Sequence, residues 1–175
     1  MPVELEALPG LPGDGPYPEQ FTTARGTHRE GFVVRVTPEQ GQAWVGNFQP
    51  GLGGLSRAVL HPNGRWVVVI SRGQAYVVDA EGRRLVGADH AAVQDALVLP
   101  DRLILFTFSE IVVLGPGDDR WQSPQLAWDG FDELTVVGAR LKGLGWDAVH
   151  DAWRPVEVDL ETREVLACAF EWPRP

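Results

Sequence analysis

The sequence predicts an all-β protein, with antiparallel meander sheets arranged as a small or incomplete β-propeller and a two-sheet β-sandwich as the structural alternative. Three observations carry that expectation. Short apolar runs rich in Val, Ile, Leu and aromatic residues alternate with tight turn signals. The pattern recurs, with Val78, Val113 and Val158 in matching places 35 and 45 residues apart, close to the period of roughly 40 to 50 of four-stranded propeller blades. No segment sustains the period of a helix.

The elements follow in order. Val3, Leu5 and Ala7 alternate with Glu4 and Glu6, which reads as a half-exposed strand. In a circular array such a strand completes the last sheet, so pairing with residues 165–170 is expected. Residues 9–31 turn to Pro, Gly and polar composition, with prolines at 9, 12, 16 and 18, and read as a loop or covering arm. Residues 32–36 and 43–48, joined at Pro38-Glu39-Gln40-Gly41, form a hairpin that reads as an abbreviated first unit. The glycine-rich stretch 49–54 lacks G-x-G-x-x-G spacing and a Walker lysine, so it reads as a connector rather than a phosphate cradle.

The clearest unit spans 56–79. Its run 58–60 stops at Pro62-Asn63-Gly64, its run 66–70 is β-branched and aromatic throughout, and the turn Ser71-Arg72-Gly73-Gln74 leads into 75–78. Residues 83–86 supply a fourth strand, and 87–94 is the best place for a short helical turn. A second copy reads 96–99, 102–108, 111–114 and 120–121. A third reads 134–137, 140–146, a longer loop, 155–160 and 165–169. Three complete sheets and a partial one are therefore expected within a single β domain, 1–175, ending in an extended tail, 171–175.

A net charge of −9 and a pI near 4.8 argue against DNA or RNA as a partner, because phosphate binding needs a basic face, and they suit a basic protein partner. Cys168 is the only cysteine, so no disulfide within the chain and no thiolate metal site is expected. Between Ala167 and Ala169 it reads as an inert buried residue. No segment approaches the length of a membrane span, and cytoplasmic localisation is the expectation.

Residues 121–153 hold four of the seven tryptophans, Trp121, Trp128, Trp146 and Trp153, together with Asp129, Asp147, His150 and Asp151. Indole rings anchor protein partners or stack on sugars, and carboxylates orient them, so Trp128, Asp129, Trp146, Asp147, His150, Asp151 and Trp153 form the candidate binding set. The competing reading packs these rings between sheets. Asp147 and His150 offer a His–carboxylate pair or a metal chelate. A hairpin loop whose Asp caps its own backbone accounts for the same residues more simply. The pairs Trp128-Asp129 and Trp146-Asp147 do not make WD40 repeats, because the chain has no Gly-His pair. No G-x-S-x-G elbow accompanies His28, His61, His90 or His150, so no catalytic residue, cofactor or metal is proposed.

Through Trp121-Gln122-Ser123, Leu126-Ala127-Trp128-Asp129-Gly130, Gly143-Leu144-Gly145-Trp146-Asp147 and the run from Pro155 to Thr162, the chain resembles small bacterial proteins of unknown function. These look propeller-like and carry a similar tryptophan-aspartate-glycine turn before a strand ending in Val-Asp-Leu. The resemblance covers residues 121–162, implies a propeller-like fold and a bacterial origin, and transfers no catalytic residue. One departure is Arg163, where such turns place Gly after Thr.

Together these features point to a non-enzymatic binding module that recognises a protein through loops at one end of its sheets. Neutralising a basic toxin, as an immunity protein does, is one concrete version. Carbohydrate binding through Trp128, Trp146 and Trp153 is the alternative, and a hydrolase or lyase using His150 with Asp147 or Asp151 is a third. An open array would leave unpaired edges and apolar faces, which a homodimer or the N-terminal arm would cover.

Overall fold

In the computed structural model, which describes residues 2–23, 28–89 and 92–170, the chain forms sixteen strands and, among those residues, no helix. The first sheet comprises β1 (Glu4–Leu8), β2 (Glu19–Phe21), β3 (Phe32–Thr37) and β4 (Trp44–Phe48), in the order β1-β3-β4-β2. The second is a meander of β5 (Arg57–Leu60), β6 (Trp66–Ser71), β7 (Gln74–Asp79) and β8 (Arg84–Asp89). The third comprises β9 (Asp95–Val98), β10 (Leu103–Phe106), β11 (Ile111–Leu114) and β12 (Arg120–Gln122). The fourth comprises β13 (Phe131–Val137), β14 (Arg140–Asp147), β15 (Ala152–Asp159) and β16 (Val165–Ala167).

Four successive four-stranded sheets replace both the three-and-a-part expectation and the two-sheet sandwich. The first sheet is whole because the N-terminal residues finish it. β1 pairs antiparallel with β3, from Glu4 opposite Thr37 to Leu8 opposite Val33, and not with residues 165–170. The last sheet draws its fourth strand from β16 of its own segment, which leaves β1 free for the near edge of β3. The Pro- and Gly-rich arm is more than a loop, because β2 runs parallel to β4 within it. Phe21 at the end of β2 stacks on Phe48 at 4.6 Å.

Alternation along each strand sends side chains to both faces, and the middle sheets bury both. Val67 and Val69 of β6 join Val34, Val36, Trp44 and Phe48 of the first sheet. Their neighbours Val68 and Ile70 join Leu103, Leu105 and Val112 of the third. Ile104, Phe106 and Ile111 in turn pack on Leu141, Val156 and Val158 of the fourth. Each core cluster therefore unites two consecutive sheets, and among the described residues none joins the fourth sheet back to the first. Val78, Val113 and Val158 do occupy third strands. Val78 and Val158 face the preceding sheet, however, whereas Val113 faces the following one.

The turns follow their chemistry. Arg72 and Gly73 take φ of 44° and 85° between Ser71 and Gln74, the pair of positive angles that a two-residue hairpin of the right twist requires. Three longer turns share one design. Asp79, Asp147 and Asp159 each end a strand and accept the N–H groups two and three residues on. The fifth residue, Arg83, Asp151 or Arg163, has φ between 51° and 63°. Arg163 thus adopts the left-handed conformation usually given to glycine, and the turn keeps its geometry.

Other expectations shift. Residues 87–89 extend β8 instead of turning helical, and His90, Ala91 and the tail 171–175 lie outside the described residues. The loop of the third copy shortens to 148–151, because β15 begins at Ala152. Cys168 is exposed, since alternation turns Ala169 into the core, and its thiol donates to the Phe170 carbonyl at 3.0 Å. No helix among the described residues is long and apolar enough to cross a membrane.

The first two sheets are tied by polar bonds as well as by apolar packing. Trp44 Nε1 donates to the Ala80 carbonyl at 2.8 Å, and Tyr76 donates its hydroxyl to the Gln49 carbonyl at 2.8 Å. Trp44→Phe leaves the buried Ala80 carbonyl without this donor and is expected to cost about 1–3 kcal/mol, read as a lower midpoint in urea unfolding with an unchanged slope.

Candidate binding face on the fourth sheet

The fourth sheet has one face in the core and one in solvent. Leu141, Gly143 and Gly145 of β14 point inward with Val156 and Val158 of β15. A Cβ at Gly145 would lie 2.8 Å from Val156 Cγ2 and 3.0 Å from the Cβ atoms of Ala127 and Ala169, so this inward position has no room for a side chain. The intervening residues therefore point outward, and antiparallel register pairs them across the strands: Arg140 with Asp159, Lys142 with Glu157, Leu144 with Pro155, and Trp146 with Trp153.

The face is thus graded along its length. At the turn next to Gly138, Arg140 Nε lies 3.3 Å from Asp159 Oδ2, and Lys142 Nζ lies 3.5 Å from Glu157 Oε1. At the other end the Trp146 and Trp153 rings meet edge to face, 5.3 Å apart at 68°. Trp153 remains 44% exposed; Val137, opposite Arg140, and Leu166, beside the Glu157 and Val158 partners, are exposed apolar residues at the charged end. On a middle sheet this position would lie under a neighbour. Here none of the described residues covers it.

The structure divides the sequence-predicted residues between two places. Trp146 and Trp153 share the outward face. Asp147 has the opposite orientation and is buried at the hairpin tip. His150 Nδ1 and Arg154 Nε each lie 2.7 Å from its Oδ2, while its Oδ1 accepts the N–H groups of Val149 and His150. Burial works against the charged carboxylate. The His150 ring and these N–H groups outweigh it, so Asp147 titrates below the ordinary aspartate range. The same capping role at Asp79 and Asp159 explains Asp147 without chemistry. Asp151 is exposed at the tip in the left-handed conformation, and Asp129 is exposed beside Gly130.

Trp128 belongs to the packing. Its ring meets Phe170 at 4.8 Å, its backbone N–H donates to the Trp146 carbonyl, and its shielded indole N–H finds no acceptor among the described residues. The edge-to-face arrangement of Trp146 and Trp153 also denies a sugar ring two parallel indoles. Among the described residues, no group of three His, Cys, Asp or Glu side chains is placed to hold a metal.

Sequence reading missed Arg140, Lys142, Leu144, Pro155, Glu157 and Asp159. The signal was present in the alternation of residues 140–147 and 152–159. Reading 147–154 as one long loop concealed the register that pairs them. A cleft of about 230 Å³ between the turns of the third and fourth sheets was also missed. Its Arg102 is held by Asp101 at 2.6 Å and its Arg163 by Asp119 at 2.5 Å, so its guanidinium groups already have partners.

No protein-family model and no curated protein matches the chain. Among solved structures it is similar to the crystal structure of the N-terminal domain of Nup159, with a TM-score of 0.47 and 15% identity, over 99% of this chain and 51% of that one. The chain therefore spans about half the length of that structure.

Two outcomes follow for the site. Asp147→Asn keeps a capping oxygen but loses the charge, so the variant unfolds more readily than the parent at pH 7. The lowered carboxylate contributes stability above the unfolded-state value of about 3.9 and loses it as pH falls through the lower folded value. Urea titrations at stepped pH should accordingly show the gap narrowing below about pH 4. Trp128→Phe removes a donor that has no acceptor among the described residues, so its melting temperature is expected to fall within a few degrees of the parent's, about 1 kcal/mol or less in either direction.

Proposed function

We propose that this protein is a non-enzymatic module that recognises a protein partner through the outward face of its fourth sheet, within an open, propeller-like array of four blades. The observation that carries the proposal is Trp153, a large aromatic left 44% exposed against Trp146, bordered by Leu144 and Pro155 and then by paired charges. An exposed aromatic anchor with apolar flanks and a charged rim is the composition of an interface core, where Trp contributes most per residue. An acidic surface overall would slow association with other acidic proteins, while the mixed charges of this face allow a close approach. The hydrolase or lyase reading has the Asp147–His150 contact in its favour, but that contact is already accounted for by the turn.

The test places a photo-crosslinking amino acid at position 153 and, separately, at Glu6 on the outward face of the first sheet, in cells that express the full chain. Protein adducts are expected at 153 and not at 6. Irradiation that yields none at 153 across growth conditions would remove this reading.

A further inference from the structure

We infer that the occupant of this face is a second copy of the same chain, seated sheet on sheet about a two-fold axis that runs parallel to β14 and β15 between them. This rests on the reading of the face as a docking surface and names its partner. Rotation about such an axis preserves height along the strands and exchanges left for right. Each β14 residue of one protomer then lies over the β15 residue that it already opposes in its own sheet. Arg140 meets the partner's Asp159 and Lys142 meets the partner's Glu157. Leu144 meets the partner's Pro155, and Trp146 meets the partner's Trp153.

The register makes this face complementary to itself, because each of the four cross-strand pairs is either basic with acidic or apolar with apolar. An axis at right angles to the strands would instead lay the tryptophans over the charge ladder. An isologous interface asks for this property, in which residue i contacts j and j contacts i. Aligned stacking of two twisted sheets, roughly 30° apart, is also the ordinary way in which β-sheets cover one another.

The other exposed end of the array offers no match. The outward face of the first sheet carries Glu4, Glu6 and Arg35, with Arg35 already on Glu6 at 2.6 Å. The segment before β3 crosses that face through Asn47, which accepts from the Gly31 N–H and donates to the Arg29 carbonyl. The first sheet is thus partly covered by its own chain and, among the described residues, the fourth is not.

Area sets the expected strength. β13, β14, β15 and β16 have seven, eight, eight and three residues, so at about 3.4 Å per residue and about 4.8 Å between strands the face covers about 420 Å², and two faces bury roughly 850 Å². That is below the roughly 1,000 Å² of a stable specific interface, so the dimer should be weak and depend on concentration.

The test uses sedimentation equilibrium of the full chain from about 1 to about 300 µM, a range that spans weak association. The parent is expected to move from one to two chain masses. Lys142→Glu makes the ladder largely acidic, and Glu157→Lys makes it largely basic. Each variant alone should weaken self-association tenfold or more, while an equimolar mixture should restore a 1:1 dimer. Lys142 is exposed and Glu157, which also pairs with Arg140, is half-buried, and circular dichroism checks that both variants fold. A monomeric parent throughout the range overturns the inference. So does a dimer that both variants retain, or one that mixing fails to restore, as contact between fourth and first sheets would produce. Adducts at position 153 that contain only other proteins, beside a monomeric parent, would leave the docking face standing and remove the second copy.

Discussion

Burial of both faces of the middle sheets is the constraint on which the architecture depends. β6, β7, β10 and β11 are buried almost without interruption, so an apolar layer must lie on each side of them. An isolated hairpin could not satisfy that demand, and neither could one sheet with a solvated back. The second sheet is covered by the first and third, and the third by the second and fourth. The demand passes along the stack until it reaches sheets that can leave one face wet.

The two terminal sheets meet that boundary differently. The first places Glu4, Glu6 and Arg35 outward and draws its own preceding segment across through Asn47. The fourth keeps a charge ladder along half its outward face and, among the described residues, leaves Trp153 exposed at the other end. An array that closed on itself would have no terminal faces. The open form makes a surface whose apolar residues are oriented by the same alternation that builds the core.

Much of the fold was legible because turn chemistry and strand chemistry are local. Pro62-Asn63-Gly64 and Arg72-Gly73 mark reversals through the angles their residues accept, and the run 66–70 is strand on composition alone. The hairpin capped by Asp147 was legible for the same reason, since a carboxylate reaching N–H groups two and three residues on is a property of one short stretch. The binding set was less so. Trp128, Trp146 and Trp153 look alike in sequence, yet the first packs on Phe170, the second lies half-buried, and only the third stands well exposed.

By itself the sequence determined the β class, the positions of most turns, the repeat that places Val78, Val113 and Val158 on third strands, and a net negative charge. All of these follow from residue types and their spacing along a few neighbouring positions. Tertiary structure decided that β1 completes the first sheet, that β2 joins it in parallel, that Cys168 points outward, and which tryptophans share a surface. Pairing between distant strands is chosen by which edges remain open once the local hairpins have formed. A strand's two faces are told apart only by what packs against them, and no run of residues carries that information alone.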